Sequence, residues 1–275
     1  MRKKIIHSIL LLFIFLGVAI GQANGGKLEM LPKKTIYQVM WNSSNVTGRI
    51  LINGFEIGSV QGPSATGTTP INIWMVGNNQ LQLELKKEPG ADPAQFSVNV
   101  SALEVSEIAM TNQVGNLVAL ELSDADFNRS PVIAITKDFK STLDFSSHLL
   151  ATPKVTITEK DVVDYAAKIY ALFEKKDSNG LLKEFSVKLD DYSTAYYDKT
   201  LPDQFKALLT NEYFKNKLVK VNPKNLQAKK TSPTSNLWHV YDGQKELIRV
   251  NEKDGAVAEM PIFIGLVNGQ LKVVR

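Results

Sequence analysis

Beyond the first two dozen residues this 275-residue chain holds two histidines, His148 and His239, and no cysteine. That inventory bounds the chemistry it can do. Without thiols there is no disulfide framework, no thiolate zinc site and no Cys nucleophile. Neither histidine has a partner at metal-ligand spacing, so no metal and no cofactor is expected. His239 lies in a strand-like run between Leu237 and Tyr241. Alternation places these three on one face and turns Trp238 to the other. An imidazole beside a phenol can bind a ligand or move a proton, so His239 and Tyr241 are candidate ligand-binding residues. The competing reading is a packed or surface histidine. His148, in a Ser-rich stretch, reads as a solvated loop residue.

Asp190-Asp191-Tyr192 with Tyr196-Tyr197-Asp198 forms the one acidic and aromatic cluster. Neighbouring positions on a helix diverge, so it reads as a solvated turn ahead of Thr200. No Gly-x-Ser-x-Gly elbow is present. The stretch from Gly62 to Pro70 lacks the Gly-Lys-Ser/Thr of a phosphate loop. Trp41 and Trp74 sit in strand-rich surroundings, either as core or as platforms for sugar stacking. Trp74 is the third candidate ligand residue.

The elements that must position these groups change character near residue 152. From Thr35 to Ile157 the period is two. Gln80-Leu81-Gln82-Leu83-Glu84-Leu85 alternates strictly, as a half-buried strand does. Ile71, Ile73 and Met75 alternate ahead of it. Ile50 to Ile52 runs into the Asn53-Gly54 turn, and Val132 to Ile135 reads as a strand buried on both faces. Repeated short strands with turn signals between them predict an all-β sandwich. After the switch, Thr158 and Asp161 form a capping-box pattern. Val162, Ala166, Ile169 and Phe173 follow at helical spacing, with Asn179-Gly180 as a stop. A short helix near Leu181 to Phe185 and another with Pro202 in its first turn come next. Asp242-Gly243, Asp254-Gly255 and Asn268-Gly269 then punctuate an antiparallel meander, with Pro261 marking an edge or bulge.

The order of the second half, a long helix, shorter helices and a closing antiparallel sheet, resembles the NTF2-like (SnoaL-like) superfamily. Leu247 to Val250 and Gly269 to Val274 sit where that family's later strands would. The resemblance implies a cone whose mouth holds a ligand. In the first half, the stretch from Ile52 to Gly58 with Gly77 to Leu83 resembles galactose-binding-like or immunoglobulin-like sandwiches. Neither resemblance carries a functional residue to a numbered position.

The opening residues give an address. Arg2, Lys3 and Lys4 precede an apolar run from Ile9 to Ile20, and small and polar residues follow. This is the pattern of a secretory signal peptide, with the short Lys-rich form of a bacterial one. The run is short for a membrane span, which needs roughly 20 apolar residues. Three of the 32 basic residues belong to this leader, which leaves the remainder nearly balanced against 28 acids. A nucleic-acid partner would call for a basic patch, and none is evident. The expected organisation is a signal peptide over 1–23, an all-β sandwich domain over 27–152 and an α+β NTF2-like domain over 153–275. The expected product is periplasmic or secreted, with no membrane span after leader cleavage. The expected role is a binding or assembly protein, not an enzyme, whose partner is a small ligand, a glycan or a protein. The alternatives are a hydrolase or isomerase that uses the C-terminal cone, with His239 and a carboxylate as acid and base, and carbohydrate binding by the sandwich.

Overall fold

Alternation in the first half yields the strands it predicts. The computed structural model describes residues 34–105, 112–151, 157–252 and 255–275. The leader and Thr152-Pro153 lie outside the described residues. Nearly half of the described residues lie in strands, arranged in antiparallel sheets, with a smaller helical part.

One four-stranded sheet has the order β4 (Ser64–Pro70), β1 (Lys34–Ser44), β6 (Gln95–Val105), β7 (Asn112–Leu122). The other runs β3 (Phe55–Val60), β2 (Val46–Ile52), β5 (Val76–Lys87), β8 (Val132–Asp144). Their inner faces share one core. Tyr37, Val39 and Trp41 of β1 meet Ile50 and Ile52 of β2, Leu81, Leu83 and Leu85 of β5, and Phe96 and Val98 of β6. In register, Leu83 lies opposite Ile50 on one side and Ile135 on the other. The period of two therefore turns Gln80, Gln82 and Glu84 outward. Asn53 and Gly54 both take positive φ, 54° and 82°, as the tight β2–β3 hairpin demands. The Trp41 indole fills the space above Gly67, where a Cβ would come within 2.1 Å of the ring.

Two expectations fail here. Ile71, Ile73 and Met75 are buried, but on a 3₁₀ turn over Asn72–Trp74 rather than on a strand. Three alternating apolar residues fit either geometry when the run is that short. The run from Val132 to Ile135 is not buried on both faces. It lies on β8, which pairs with β5 alone, and Val132 is 61% exposed. Short helices α1 (Asp124–Arg129) and α2 (Ser146–Leu149) flank that strand.

In the second half, α3 (Glu159–Glu174) opens on the expected capping box. Thr158 Oγ1 accepts from the Asp161 N–H at 3.2 Å, and the Asp161 carboxylate accepts from the Thr158 N–H at 3.0 Å. Asn179-Gly180 does not stop the helix. Lys176, at φ 54°, follows its end, and Asp177 caps the next helix, α4 (Ser178–Glu184), by accepting from the Gly180 N–H at 2.9 Å. The stretch read as a solvated turn is helix α5 (Ser186–Tyr196). Helix α6 (Leu201–Leu208) carries Pro202 in its first turn and runs into a π turn over Leu209–Tyr213. Among the described residues no helix is long and apolar enough to cross a membrane.

Two sheets follow. One has the order β10 (Leu226–Lys230), β11 (Trp238–Asp242), β15 (Phe263–Val267), β16 (Gln270–Val273), with β12 (Lys245–Glu246) paired to β11. The other has β14 (Val257–Met260), β13 (Ile248–Asn251), β9 (Lys217–Leu218). The stretch from Ala256 to Val267 is not one strand but breaks after Met260. Pro261 has no N–H to give a ladder, and the pieces on either side join different sheets.

Three buried clusters result. One fills the paired sheets. A second joins α3, α4 and α6 to the later strands through Phe173, Phe185, Phe205, Val240 and Ile264. The third draws on both halves: Phe55, Ile73, Phe145 and Leu149 from the first, Ala195, Leu237, Val267 and Val274 from the second.

Candidate functional site

Strand β11 sorts its side chains as alternation requires. Val240 packs with the helix-side cluster, while Leu237 belongs to the cluster shared by both halves. His239 and Tyr241 are on the Leu237 face, turned away from α3 and α6. They do not line the space between helices and sheet where a cone would hold its ligand. The Tyr241 hydroxyl lies 2.5 Å from His239 Nδ1, and His239 Nε2 lies 2.8 Å from Glu246 on β12. A carboxylate can only accept, so Nε2 donates to it, and in the neutral ring Nδ1 accepts from the phenol. Burial, then the charges of Glu246 and Glu56, push the Tyr241 hydroxyl above its ordinary value. The chain is therefore poor at forming a phenolate. Phe263 stacks beside His239 with centroids 4.2 Å apart.

Trp74 is reached through the same aromatic row. Phe263 meets it edge-on at 6.3 Å, Phe55 stacks on it at 4.9 Å, and the Arg275 guanidinium sits 5.8 Å from its ring. The three candidate residues thus share one seam between the halves. Trp74 is engaged there by protein groups rather than presented as an open platform.

The same seam holds a buried ion pair that sequence reading missed. Arg275 is 2% exposed, and its Nη1 lies 2.5 Å from the carboxylate of Asp191 on α5. Its Nε and Nη2 donate to the Ile73 carbonyl at 3.0 and 2.7 Å. His148 Nδ1 is 3.0 Å from Asp191. Two readings are corrected here. Asp191 is buried on a helix, and His148, on α2, is bonded rather than a free loop residue. Asn72 ties the seam further by donating to the Ala195 carbonyl at 2.7 Å. Lys188, one turn before Asp191, rests 5.6 Å from the Tyr192 ring centre. Burial, helped by the positive charge of Arg275, lowers its ammonium to about 8.

The space between helices and sheet is filled. Phe185 stacks on Phe205 at 4.8 Å and meets Phe173 at 6.4 Å, while Tyr213 meets Phe173 at 6.0 Å. At its margin, Glu184 accepts from Tyr165 at 2.7 Å and Lys168 at 3.0 Å. Burial works to raise that carboxyl, but these bonds and the nearby lysine charges hold it below its usual range.

An open cleft of about 970 Å³ lies elsewhere, where the outer face of β2, β5 and β8 meets the β10–β11 loop. Arg49, Gln80, Gln82, Glu84 and Asp138 form its floor, and Thr231 to Thr234 form its wall. The wall is pinned. Thr234 O accepts from the Ala151 N–H at 2.9 Å, Leu149 O from the Asn236 N–H at 2.8 Å, and Ser235 Oγ from the Leu237 N–H at 2.8 Å. Asn236 donates to both His148 O and Leu266 O. Floor and wall come together at Gly54, where a Cβ would lie 3.2 Å from Ser232. Among the described residues no group of three or more His, Asp or Glu is placed to hold a metal ion. No protein-family model, no curated protein and no solved structure matches this chain.

Proposed function

We propose that this chain is an exported, non-catalytic binding protein, in which an NTF2-like half has been filled and joined to a β-sandwich. The observation that carries this reading is the aromatic packing of Phe173, Phe185, Phe205 and Tyr213 between helices and sheet. A cone that worked on a substrate would need that space open. The order α3 to α6 followed by antiparallel strands supports the NTF2-like assignment, and the opening residues support export. Binding then falls to outer surfaces, with a small ligand, a glycan or a protein as partner.

The test is a titration followed by amide NMR. Ligands should move signals along β2, β5 and the 231–234 loop. Signals moving around Phe173, Phe185 and Phe205 would point to an interior site and overturn the proposal. Export is checked by fractionation, which should yield a soluble chain that starts near Gln22 or Asn24. An intact leader in the membrane fraction would contradict it.

A second reading, a hydrolase or isomerase, is favoured by one observation, the Tyr241–His239–Glu246 hydrogen-bonded chain. It predicts a turnover that His239→Ala abolishes. The binding reading predicts that His239→Ala leaves ligand affinity in place.

A further inference from the structure

We infer that the cleft between the β2–β5–β8 face and the β10–β11 loop is a binding site for an uncharged, hydroxyl-rich chain, an oligosaccharide. The inference rests on the binding reading above and gives that reading a place and a ligand class.

Charge argues first. The lining carries Arg49 and Lys140 against Glu84 and Asp138, so it is balanced. Arg49 is already committed: its Nε donates to Glu84 at 3.1 Å, and its Nη1 lies 3.7 Å from Glu56. A phosphate or carboxylate ligand would have to break these pairs, and a cationic one would have to compete with Arg49 for Glu84. A neutral ligand faces neither cost.

The remaining groups are those that hydroxyls bind. Gln82 stands at the centre of the floor, in register with Leu51 on one side and Thr136 on the other. Its amide nitrogen makes a 3.5 Å contact with Gln80, and its amide oxygen has no partner among the described residues. Gln80 donates to Asp138 at 3.1 Å, which leaves that carboxylate further acceptor sites. Across the gap stand the hydroxyls of Ser232 and Thr234, while that of Thr231 is held by Ser235 at 2.7 Å. Pro233 offers a small apolar patch that suits the C–H face of a sugar ring, above the nearly buried Leu51. The backbone groups of β2 and β5 are used in the β ladders on both sides, so across that floor side chains do the recognition. An extended peptide, which adds to a sheet by main-chain pairing at an edge, would pair along the free side of β8 and not across the floor.

Size and stiffness agree. Sites that enclose drug-sized ligands run roughly 300–1,000 Å³, so about 970 Å³ admits an oligomer rather than one ring. Both walls are fixed before binding, one by the sheet and the other by the bonds that hold the loop to Leu149, Ala151 and His148. Little ordering is then needed when a ligand enters.

The experiment uses the full mature chain in microcalorimetry against neutral cello-, manno- and chito-oligosaccharides of four to six units. Oligogalacturonate and a Lys-rich peptide serve as charged probes. At least one neutral series should bind. Its affinity should change less than about twofold between low and high salt, since no ion pairs form. Gln82→Ala should weaken it about tenfold, the loss of one to two hydrogen bonds, and Ser232→Trp should abolish it by filling the gap. Both positions lie outside the buried clusters, and circular dichroism of each variant confirms the fold. Saturable binding of a charged probe alone, lost in Ser232→Trp, would overturn the ligand class and leave the binding reading standing. Oligosaccharide binding that survives both variants would overturn the site. If no neutral series binds, the inference is wrong.

Discussion

Removing the Asp191 carboxylate should cost the folded state about 3 kcal/mol. Arg275 is 2% exposed and Asp191 4% exposed, so water cannot replace the lost partner. Breaking a buried ion pair from one side costs about 3–5 kcal/mol. Arg275 would still donate to the Ile73 carbonyl at 3.0 and 2.7 Å and to the Val274 carbonyl at 2.6 Å. Those bonds favour the lower end of the range for Asp191→Ala. At about 1.4 kcal/mol per tenfold, the folding equilibrium should fall more than a hundredfold. Urea unfolding monitored by helical circular dichroism and by tryptophan fluorescence measures it, since Trp74 lies against Arg275. The double variant Asp191→Leu/Arg275→Met removes both charges and should recover more than half of the loss. A single-variant loss below about 1 kcal/mol would refute the reasoning. So would a double variant as unstable as the sum of the singles, because the pair would then not be coupled.

Other perturbations test other parts. Lys188 sits near 8 in the folded chain against 10.5 when unfolded, so between those values the unfolded state binds more protons and stability rises with pH. The group is partly exposed, so the rise should be about 1–2 kcal/mol, and Lys188→Met should flatten it in thermal unfolding at pH 7 to 10. Burial raises the Tyr192 and Tyr196 hydroxyls, so above pH 10 the sign reverses and stability should fall. Trp74→Ala, at a partly buried ring, should cost about 2–3 kcal/mol, read by urea unfolding; a change under about 1 kcal/mol would mean that the seam is not packed as described. Gly67→Ala would put a Cβ 2.1 Å from the Trp41 ring, and the repacking should cost about 1–3 kcal/mol. Unchanged stability and unchanged near-UV dichroism would contradict that contact.

Much of the architecture was legible because its signals are local. The leucines of β5 alternate without error, and the Thr158–Asp161 cap stands directly before a helical stripe. Helix α5 was not legible, for a reason visible in its packing. Leu189 faces the helix-side cluster, while Val187, Tyr192, Ala195 and Tyr196 face the seam. Its apolar residues are split between two cores, so no single stripe marks it. Asp191 completes the disguise, because its partner Arg275 lies 84 positions away. Tyr241 and His239 were placed on one face correctly by alternation, but which face met the helices depends on how sheets and helices stack. The cleft was out of reach altogether. Gln80 and Gln82 look like ordinary outward residues until the loop at Thr231 to Thr234 is brought over them from some 150 positions further on.

The seam also sets a clock. Ile73 and Arg275 bond across 202 positions. At roughly 5–20 residues per second, about 10–40 seconds of synthesis separate the two. Once β8 is made, Phe55, Ile73, Trp74 and Phe145 still await Ala195, Leu237, Val267 and Val274, and an apolar surface stands bare beside the pair of sheets until those arrive. The interval suits handover to a chaperone that grips exposed aromatic residues, and it makes a ribosome paused within the later strands a source of aggregating fragments.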